Sequence, residues 1–580
     1  MATSFLTGLL LALVCLFTGG AAGRRIAVIG AGASGAAAAY FAQVDLAALG
    51  EERAEIHVFE RSDRVGGRAR AGSVEFNNQT LHFEQGASMF IGKNRHLMEL
   101  AKELNLTLCA HPCTFAGDVG GEGGDGGGDS SSSGALGKLG GYGLWDPNSG
   151  DAGGRWVVRQ RPGRWVRGAL QMLWRYGGTG DLSTVRKRTA QAVDEFLTSY
   201  VEFAKDPRGG AYSTWDEYVA AKPLMQQSLY YRAAEFYSSR SSAIGRRFLD
   251  EVVSLATRVN YMQDVDTINT MGAHISMAAE SDKAYSVAGG NWQIFAGMLQ
   301  RSGASVHLGA AVQAVARENG PGSKGYRVSY KVGDLQEQSM VFDTVIVAAP
   351  LPLSDIRLHI GDTNSTSTDA GVRARAETAV DYVRMHVTFA IGVLRRDLFA
   401  DWGADNSNSS GSSTLPRLII TPYRTSEPFN CMSILACLDS GSSGSGSESG
   451  AGAGAASALC GRAGGTVLVK IFSHAPIELD RVFERVDWKQ AHTWHAYPRL
   501  EPRNAAAYSA APAKGSKAFS LDRAKLPPIV LDRRDGADAR GGVYYIGGME
   551  ALFSTMESQT VAARHVVRLA LFGPSAAQAS

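Results

Sequence analysis

The stretch Arg25–Gly35, RIAVIGAGASG, decides the fold, because it places a glycine-rich turn between an apolar run and an alanine-rich segment. The apolar run Arg25–Gly30 predicts a short strand, and Gly35–Leu49 predicts a helix. In the spacing Gly-x-Gly-x-x-Gly, the first glycine allows a tight turn and the second lets the backbone approach a pyrophosphate. The third lets helix and strand pack closely, while N–H groups at the helix N-terminus bind phosphate oxygens. The stretch therefore predicts a dinucleotide site.

An acidic residue follows where such a site needs one. Ile56–Glu60 predicts a second strand, and Glu60 is its last residue. A carboxylate in this place can accept hydrogen bonds from an adenosine ribose. Because the glycines lie between a strand and a helix and the acid follows, we favour a nucleotide site over an incidental glycine-rich turn.

The segment Arg64–Ala69, RVGGRA, decides which dinucleotide is expected. NAD enzymes do not require a second glycine pair flanked by two arginines. The segment resembles the R-x-G-G-R element that runs along the FAD diphosphate in flavoproteins of the glutathione-reductase type. Together with Glu84–Ala87, EQGA, it is similar to the amine-oxidase superfamily, which includes phytoene desaturases and protoporphyrinogen oxidases. This resemblance implies FAD rather than NAD.

The far end of the chain resembles the closing FAD element of the same superfamily. A strand, Val543–Gly548, runs into a glycine pair, and the helix pattern Gln559–Leu571 follows soon after. The N-terminus of such a helix stabilises the negative charge that a reduced flavin carries near N1 and C2=O. Val345–Pro350 is similar to the internal strand of the superfamily, and Val312 stands where its adenine-contacting residue would. The cofactor site that these resemblances imply consists of Gly30, Gly32, Ala33, Ser34, Gly35, Glu60, Arg61, Gly67, Arg68, Gly86, Ala87, Val312, Gly548, Met549, Glu550 and Met556.

Four further stretches narrow the resemblance to the prenylcysteine oxidase (farnesylcysteine lyase) family. They are Phe248–Val253, Tyr285–Asn291, Trp494-x-x-Tyr497-Pro498 and the segment Met549–Glu557. The family implies an FAD enzyme that cleaves S-farnesyl- and S-geranylgeranyl-L-cysteine with O2 and water. The products are cysteine, an isoprenoid aldehyde and hydrogen peroxide, in the degradation of prenylated proteins. We expect noncovalent FAD, since no Cys or His stands in a clear flavin-attachment motif.

The reaction that the resemblance implies requires few catalytic side chains. The allylic carbon bonded to sulfur loses hydride to the flavin, water adds to that carbon, and the hemithioacetal collapses to aldehyde and thiol. This route needs a dry tunnel for the isoprenoid and polar groups for the amino-acid end. It needs no strong base, so the sequence names no catalytic residue.

Several residues have two interpretations at this stage. The aromatic cluster Tyr230, Tyr231, Phe236 and Tyr237 could line the tunnel, although core packing of a helical lobe is favoured. His274 and His495 could polarise a reacting group, although packed or surface histidines are favoured. Glu557 could orient the flavin edge or the substrate ammonium, and it could equally cap the final helix.

Chain length and element order predict two lobes that share several chain crossings. The fold class is α/β, with a Rossmann-like FAD-binding domain of glutathione-reductase type interleaved with a mixed α+β and largely helical substrate domain. The expected segments are a signal peptide (1–22), the first part of the FAD-binding domain (23–105), a Gly/Ser-rich insert and linker (106–160), the helical lobe (161–284), the second FAD part (285–350), the substrate domain with inserts 406–413 and 439–457 (351–540), and the third FAD part (541–580).

Composition excludes some classes of protein. Lys and Arg total 58 and Asp and Glu total 56 among 580 residues, so charge gives no reason to expect a nucleic-acid partner. A hydrophobic content of 44% excludes a wholly disordered chain. The 68 glycines are partly concentrated in Gly117–Gly141, Asn406–Ser413 and Asp439–Ser457, whose composition predicts surface loops.

The start of the chain predicts a secreted protein. The uncharged segment Met1–Gly23 contains an apolar run of signal-peptide length followed by small residues. A retained membrane anchor is the alternative. The expected location is the secretory pathway, either lysosome or vacuole or outside the cell, with no transmembrane anchor and with peripheral membrane contact left open. Asn-x-Ser/Thr sequons begin at Asn78, Asn105, Asn364 and Asn408.

Once Cys15 leaves with the signal peptide, five cysteines remain, so at least one lacks an intrachain partner. No CxxC pair or zinc-type His/Cys spacing occurs in the sequence, and we expect no metal. Two other functions stay open beside the implied one. The first is another flavin oxidase of the superfamily, acting on an amine or a tetrapyrrole. The second is a secreted nucleotide-binding protein without redox activity.

Overall fold

A computed structural model describes most of the chain. The described residues are 23–110, 142–148, 154–159, 174–177, 180–206, 208–209, 211–239, 244–279, 282–318, 325–360, 381–399, 415–422, 429–438, 464–503, 526–533 and 541–574. The expected signal peptide and the three low-complexity segments lie outside these residues, as do the sequons at Asn364 and Asn408.

The described strands are β1 (Arg25–Ile29), β2 (Glu55–Phe59), β3 (Ala71–Phe76), β4 (Gln79–Glu84), β5 (Phe90–Ile91), β6 (Leu108–Ala110), β7 (Tyr142–Asp146), β8 (Arg155–Arg159), β9 (Ala284–Val287), β10 (Ser305–His307), β11 (Ala310–Arg317), β12 (Tyr326–Val332), β13 (Gln338–Phe342), β14 (Thr344–Val347), β15 (Arg357–His359), β16 (Tyr382–Leu394), β17 (Leu418–Ile420), β18 (Cys431–Cys437), β19 (Thr466–Ser473), β20 (Phe483–Pro498), β21 (Val530–Arg533) and β22 (Gly542–Tyr545).

The described helices are α1 (Ala33–Ala48), α2 (Arg95–Glu103), α3 (Gly180–Lys205), α4 (Trp215–Ala220), α5 (Pro223–Tyr230), α6 (Ala233–Ser238), α7 (Arg246–Phe248), α8 (Ser254–Tyr261), α9 (Thr270–Ala278), α10 (Trp292–Ser302) and α11 (Met556–Phe572). A π-helical turn, Leu249–Val253, joins α7 to α8. Short 3-10 turns occupy Leu351–Leu353, Arg396–Leu398, Leu479–Arg481 and Gly547–Ala551.

A six-stranded sheet in the order β10-β2-β1-β14-β22-β21 forms the nucleotide-type core. The first five of these strands run parallel, and β21 pairs antiparallel with β22. All four residues of β14 are buried, as expected for a parallel strand covered on both faces. The small side chains of α1, Ala36–Ala39, are fully buried and let the helix lie close to the sheet. The predicted strand–helix–strand unit and the Rossmann-like fold are confirmed.

A second sheet has four strands, of which β11, β12 and β13 lie between β10 and β14 in the chain and β15 follows β14. Its order is β13-β12-β11-β15. The sequence alternates on both sides of Gly333-Asp334, which predicts a hairpin. The hairpin is present, with Gly333 at φ 56° in the turn between β12 and β13. Tyr326, Phe342 and Val345 join this sheet to the first one in a shared apolar core.

The other lobe combines helices with a seven-stranded sheet in the order β20-β16-β19-β18-β17-β7-β8. The predicted helical region is present. The sequence Thr214-x-x-Glu217 is typical of a capping box, but the Glu217 side chain bonds to the residue before Thr214. The Thr214 side chain accepts a hydrogen bond from the Glu217 N–H at 3.1 Å, but the Glu217 carboxylate accepts from the Ser213 N–H at 2.9 Å. Val193, Phe196, Leu197, Tyr200 and Val201 repeat at helical spacing, which predicts one apolar face for α3. Val201 does not belong to the buried face, because it is 45% exposed.

Three cysteines lie among the described residues beyond the signal segment. Cys109 and Cys437 are in disulfide bonds. Cys431 is a buried free thiol, and burial raises its pKa to about 12. The sequence prediction of at least one unpaired thiol is therefore confirmed. Within the described residues, no helix is long and apolar enough to cross a bilayer.

Candidate cofactor and substrate site

The glycine-rich turn between β1 and α1 has the close contacts that its sequence predicts. Gly30 has φ 106°, a left-handed conformation that favours glycine. A Cβ on Gly35 would lie 1.8 Å from the Gly30 carbonyl oxygen, so no side chain fits there. The turn therefore brings the N-terminus of α1 directly above the end of β1.

Two glycines face each other across the expected diphosphate path. The Gly66 N–H donates to the Ala31 carbonyl at 2.8 Å, which holds the second glycine segment against the first. A Cβ on Gly32 would point toward Gly67, with the Gly67 Cα as its nearest protein atom at 3.7 Å. A side chain at Gly32 would thus enter the space between the two segments. The residues present fit the passage of a dinucleotide diphosphate.

Glu60 lies at the carboxyl end of β2, beside the glycine turn, and is 8% exposed. One carboxylate oxygen accepts from the Ala31 N–H at 2.8 Å, and the other accepts from the Ser62 N–H and hydroxyl at 2.9 and 2.8 Å. These bonds fix the carboxylate in place. A carboxylate offers about four acceptor positions, so Glu60 can still accept from a ribose hydroxyl. The neighbouring Arg61 side chain is exposed.

Arg68 joins the first and last segments of the expected FAD-binding domain. Its guanidinium forms an ion pair with Glu550, in the 3-10 turn before α11, and donates to the Ala496 carbonyl at 3.2 Å. The Tyr382 hydroxyl donates to the other Glu550 oxygen at 2.8 Å. Burial and the Glu550 charge raise the pKa of Tyr382 well above its ordinary value. Arg68 and Glu550, both predicted site residues, therefore bind each other in this structure.

The remaining predicted site residues lie along the same surface. A Cβ on Gly86 would lie 1.8 Å from the Arg68 carbonyl oxygen, so this segment packs directly on the arginine segment. Met549 is fully buried, and Met556 begins α11. Val312 is half-buried on β11, beside a change of register in its pairing with β12.

The hydroxyl of Ser34, a predicted cofactor-binding residue, is bonded within the protein. Its hydroxyl donates to the Gln559 Oε1 atom at 2.8 Å, and both residues are buried. This bond joins α1 to α11. The sequence could not foresee it, because the two residues are far apart in the chain.

A cavity of about 310 Å³ begins beside Ala87 and Met556 and extends into the helical lobe. This volume lies at the low end of the range for small-molecule sites, roughly 300–1,000 Å³. Its walls come from α3, α8 and α9 on one side and from the seven-stranded sheet on the other. The apolar residues of the lining include Leu97, Val193, Phe196, Leu197, Leu255, Val259, Ile275, Ile434, Phe472 and Phe553.

Two ionisable groups, Glu84 and Lys470, line the cavity near Ala87. The Glu84 Oε1 atom accepts from the Asn291 N–H at 2.6 Å, and burial raises its pKa to about 7. The Lys470 ammonium donates to the Glu84 carbonyl at 2.8 Å and to the Ser88 hydroxyl at 2.9 Å. Burial lowers the pKa of Lys470 to about 8. Sequence reasoning missed Lys470, although a lysine inside the apolar strand TVLVKIFS was the available signal.

Glu557 has a role that neither earlier interpretation gave. Its carboxylate accepts from the His96 and Leu97 N–H groups at 2.9 and 3.1 Å and from the Tyr200 hydroxyl. It therefore caps α2, whereas Thr555 and Ser558 cap its own helix. The interpretation of Glu557 as the cap of the final helix is wrong, because its side chain points away from the N–H groups of that helix toward α2. Burial raises its pKa to about 7.

The other candidates do not line the cavity. Phe236 and Tyr237 are buried in the core, as favoured, whereas Tyr230 and Tyr231 are 37% and 41% exposed. His274 is buried, its Nδ1 atom lies 2.9 Å from the Tyr237 hydroxyl, and burial lowers its pKa to about 3. His495 is exposed. Among the described residues there is no group of three His, Cys, Asp or Glu that could hold a metal ion.

The chain is similar to proteins of two families. A family model described as prenylcysteine lyase matches residues 164–510, and one described as an NAD(P)-binding Rossmann-like domain matches residues 28–104. The chain is 24% identical to farnesylcysteine lyase of Arabidopsis thaliana, over 94% of this chain and 87% of that protein. It is also 24% identical to prenylcysteine oxidase 1 of Mus musculus, over 94% and 88%.

Solved structures with a similar course of the chain include two amine oxidases. Cyclohexylamine oxidase from Brevibacterium oxydans gives a TM-score of 0.47 at 13% identity, with 94% of this chain and 98% of that chain covered. Putrescine oxidase bound to putrescine gives a TM-score of 0.46 at 14% identity, with the same coverage of both chains.

Proposed function

Because the chain belongs to the prenylcysteine lyase family, we propose that this flavin-dependent oxidoreductase cleaves S-prenyl-L-cysteine. The substrates are the farnesyl and geranylgeranyl thioethers, and the products are cysteine, an isoprenoid aldehyde and hydrogen peroxide. One observation carries the proposal: an apolar cavity of about 310 Å³ ends beside the Gly86-Ala87 segment and Met556, where the flavin is expected. A long apolar substrate would place its reacting end there.

The cavity suits an isoprenoid thioether because its lining offers both apolar side chains and polar groups. Val193, Phe196 and Phe553 are among the apolar side chains that would cover the isoprenoid. Glu84, Ser88 and Lys470 are polar groups at the Gly86-Ala87 end, where the amino-acid part would lie. A flat surface or a uniformly polar cleft would not distinguish the two parts of such a molecule.

The cofactor would be FAD, bound without a covalent link. The turn at Gly30 and Gly32 would hold the diphosphate, Glu60 would bind the ribose, and the N-terminus of α11 would face the flavin. When bound, FAD supplies the two-electron acceptor for the substrate and passes the electrons to O2.

The protein's own residues orient the substrate and exclude water from the isoprenoid. The reaction oxidises the allylic carbon bonded to sulfur, which loses a hydride and gains a hydroxyl from one water molecule. The C–S bond of the resulting hemithioacetal breaks, with the sulfur leaving as the thiol and the carbon becoming the aldehyde. O2 takes up the two electrons and two protons to form hydrogen peroxide, so atoms and electrons balance.

We further propose that the enzyme acts in the secretory pathway, in a lysosome or vacuole or outside the cell. The apolar leader Met1–Ala22 and the sequons at Asn78 and Asn105 support this location. A noncytosolic compartment also suits the disulfide-bonded Cys109 and Cys437.

The test uses the purified full-length protein from a secreting host. We expect a flavin absorption spectrum, its bleaching on anaerobic addition of S-farnesyl-L-cysteine, and peroxide release in air in a one-to-one ratio with farnesal. S-dodecyl-L-cysteine is the matched control, because it lacks the allylic group that stabilises the loss of hydride. A flavin that an amine bleaches but S-farnesyl-L-cysteine does not would contradict the proposed substrate. Protein without flavin would contradict the proposed reaction altogether.

A further inference from the structure

The cavity contains a buried cation without a carboxylate partner. The Lys470 side chain is 6% exposed, and its ammonium donates two hydrogen bonds, both to uncharged oxygens of Glu84 and Ser88. The rings of Phe389 and Phe472 lie 5.8 and 5.0 Å from Nζ. Within the part of the chain that the structure describes, no carboxylate lies within 4.0 Å of this ammonium.

Two other buried cations of the protein, Lys222 and Arg568, are paired with carboxylates at close range. Lys222, 1% exposed, lies 2.7 Å from a Glu202 oxygen. Arg568, 1% exposed, lies 2.9 Å from an Asp45 oxygen. A buried charge is costly unless it is paired, because burial removes its hydration. Lys470 differs from these two cations, because the Glu84 carboxylate interacts with its charge but forms no ion pair with it. An external anion would supply the direct contact that is missing.

Other charged groups of the cavity also have partners, Arg417 among them. Lys93 pairs with Asp194 at 3.0 Å, and its side chain is 41% exposed. Glu557 accepts hydrogen bonds from the first N–H groups of α2 and from Tyr200. The Glu84 Oε1 atom accepts from the Asn291 N–H, while its Oε2 atom is buried without a partner. The unpartnered Glu84 Oε2 atom thus lies in the same wall of the cavity as Lys470.

We propose that Lys470 binds the α-carboxylate of the substrate and makes the enzyme specific for a free carboxyl end. This inference rests on the proposed function, since it names the binding partner within the same cavity. The position is consistent with the chemistry, because only a few covalent bonds separate that carboxylate from the allylic carbon. Binding the carboxylate beside Ser88 therefore places the reacting carbon near the Gly86-Ala87 segment.

The experiment compares a carboxylate with its uncharged amide. The binding probes are S-dodecyl-L-cysteine and S-dodecyl-L-cysteine amide, whose affinities for the FAD-loaded protein are measured from the shift of the flavin absorption. The same comparison of S-farnesyl-L-cysteine with its amide gives KM and kcat from peroxide release. We expect the wild-type protein to bind each acid about 10- to 100-fold more tightly than the amide, through a charge-assisted hydrogen bond.

Lys470→Met removes the charge and keeps an unbranched side chain that is only one atom shorter. We expect it to reduce the acid-to-amide ratio to near one, with the loss in KM and with flavin content unchanged. Lys470→Arg should restore part of the preference. Lys331→Met, an exposed lysine on β12, is the matched control and should retain the wild-type ratio.

Two results would overturn the assignment. The first is an acid preference that persists in Lys470→Met, and the second is an equal loss for acid and amide, which a purely structural lysine would give. If that variant fails to fold, Lys470→Gln and the wild-type ratio decide, because equal binding of acid and amide by the wild type excludes a carboxylate subsite. Failure of the proposed function is distinguishable, since the dodecyl probes bind without being oxidised.

Discussion

At the scale of single residues, the cofactor site depends on glycines, and the space around each one shows whether a side chain would disturb the fold or only the cofactor. Gly35 tolerates no side chain at all, because a Cβ would lie 1.8 Å from a backbone oxygen. Gly32 is different, since its Cβ would meet the nearest protein atom only at 3.7 Å. A substitution at Gly32 therefore spares the fold and blocks the space expected for the diphosphate, which separates folding from cofactor binding.

We expect Gly32→Val to fold and to purify without flavin, because the branched side chain enters the path of the diphosphate. Gly180→Val is the control, since a Cβ there meets no atom within 4 Å and lies far from the glycine turn. Flavin absorbance per protein and the thermal unfolding midpoint measure the two effects. A Gly32→Val protein that retains one flavin per chain would refute the assignment of the turn.

Glu60 contributes through hydrogen bonds on both sides of its carboxylate. We expect Glu60→Ala to weaken FAD binding by about 1–3 kcal/mol, through the lost charge-assisted bond to the ribose. Glu60→Gln should lose less, because its amide oxygen can still accept from the Ala31 N–H. Titration of flavin-free protein with FAD gives both values. Unchanged affinity in Glu60→Ala would remove this residue from the site.

At the scale of elements, the sequence predicted the helices and strands whose formation depends on residues close together in the chain. The unit β1–α1–β2 and the hairpin at Gly333 follow from apolar patterns and turn residues that lie close together in the chain. The partner of Glu557 could not be predicted, because a carboxylate can cap any helix whose N-terminus folding brings near it. Lys470 was missed for a similar reason, since its neighbours Glu84 and Ser88 belong to a distant segment.

Glu557 joins three helices, and its charge makes that junction sensitive to pH. Burial raises its pKa to about 7, above the ordinary 4.5, so the folded protein holds this proton more tightly than the unfolded chain. Its contribution to stability is therefore complete below about pH 4.5 and is lost as the pH rises to about 7, by about 3 kcal/mol. His274, with a pKa lowered to about 3, acts in the opposite direction as the pH falls.

We expect Glu557→Gln to remove this part of the pH dependence, because glutamine does not titrate. Urea unfolding of the FAD-loaded wild type and variant at about pH 4.5 and about pH 7.5 gives the difference, in which the shared histidines largely cancel. Glu337→Gln, at an exposed position between β12 and β13, is the control and should follow the wild type. Parallel stability curves for wild type and Glu557→Gln would contradict the role assigned to this carboxyl.

At the scale of the whole molecule, the chain crosses between the lobes several times. The candidate site is therefore built from segments that are far apart in the sequence. Arg68 near the start binds Glu550 near the end, and Ser34 binds Gln559. The substrate cavity lies between elements from both lobes. Neither lobe therefore completes the site alone. We expect that segments which contribute no residue to these contacts or to the cavity can be removed without loss of activity.

The last prediction concerns two such segments, Met1–Ala22 and Gly120–Gly141, both outside the described residues. The mature N-terminus should lie within a few residues of Arg24, because a longer removal would delete β1 and the turn that follows it. N-terminal sequencing of protein from a secreting host measures this. A chain that still begins at Met1 would contradict the proposed compartment.

Excision of Gly120–Gly141 should leave flavin content and S-farnesyl-L-cysteine oxidation nearly unchanged. Its residues are mostly glycine and serine, which offer little apolar surface to bury, and each halving of a loop changes its closure free energy by only about 0.6 kcal/mol. Excision of the equally long Ala33–Ala54 range would instead remove α1 and should abolish flavin binding. If excision of Gly120–Gly141 abolished turnover but left the flavin bound, the prediction would be wrong. The cofactor site would then be intact, and the segment would be needed for the substrate to reach the cavity.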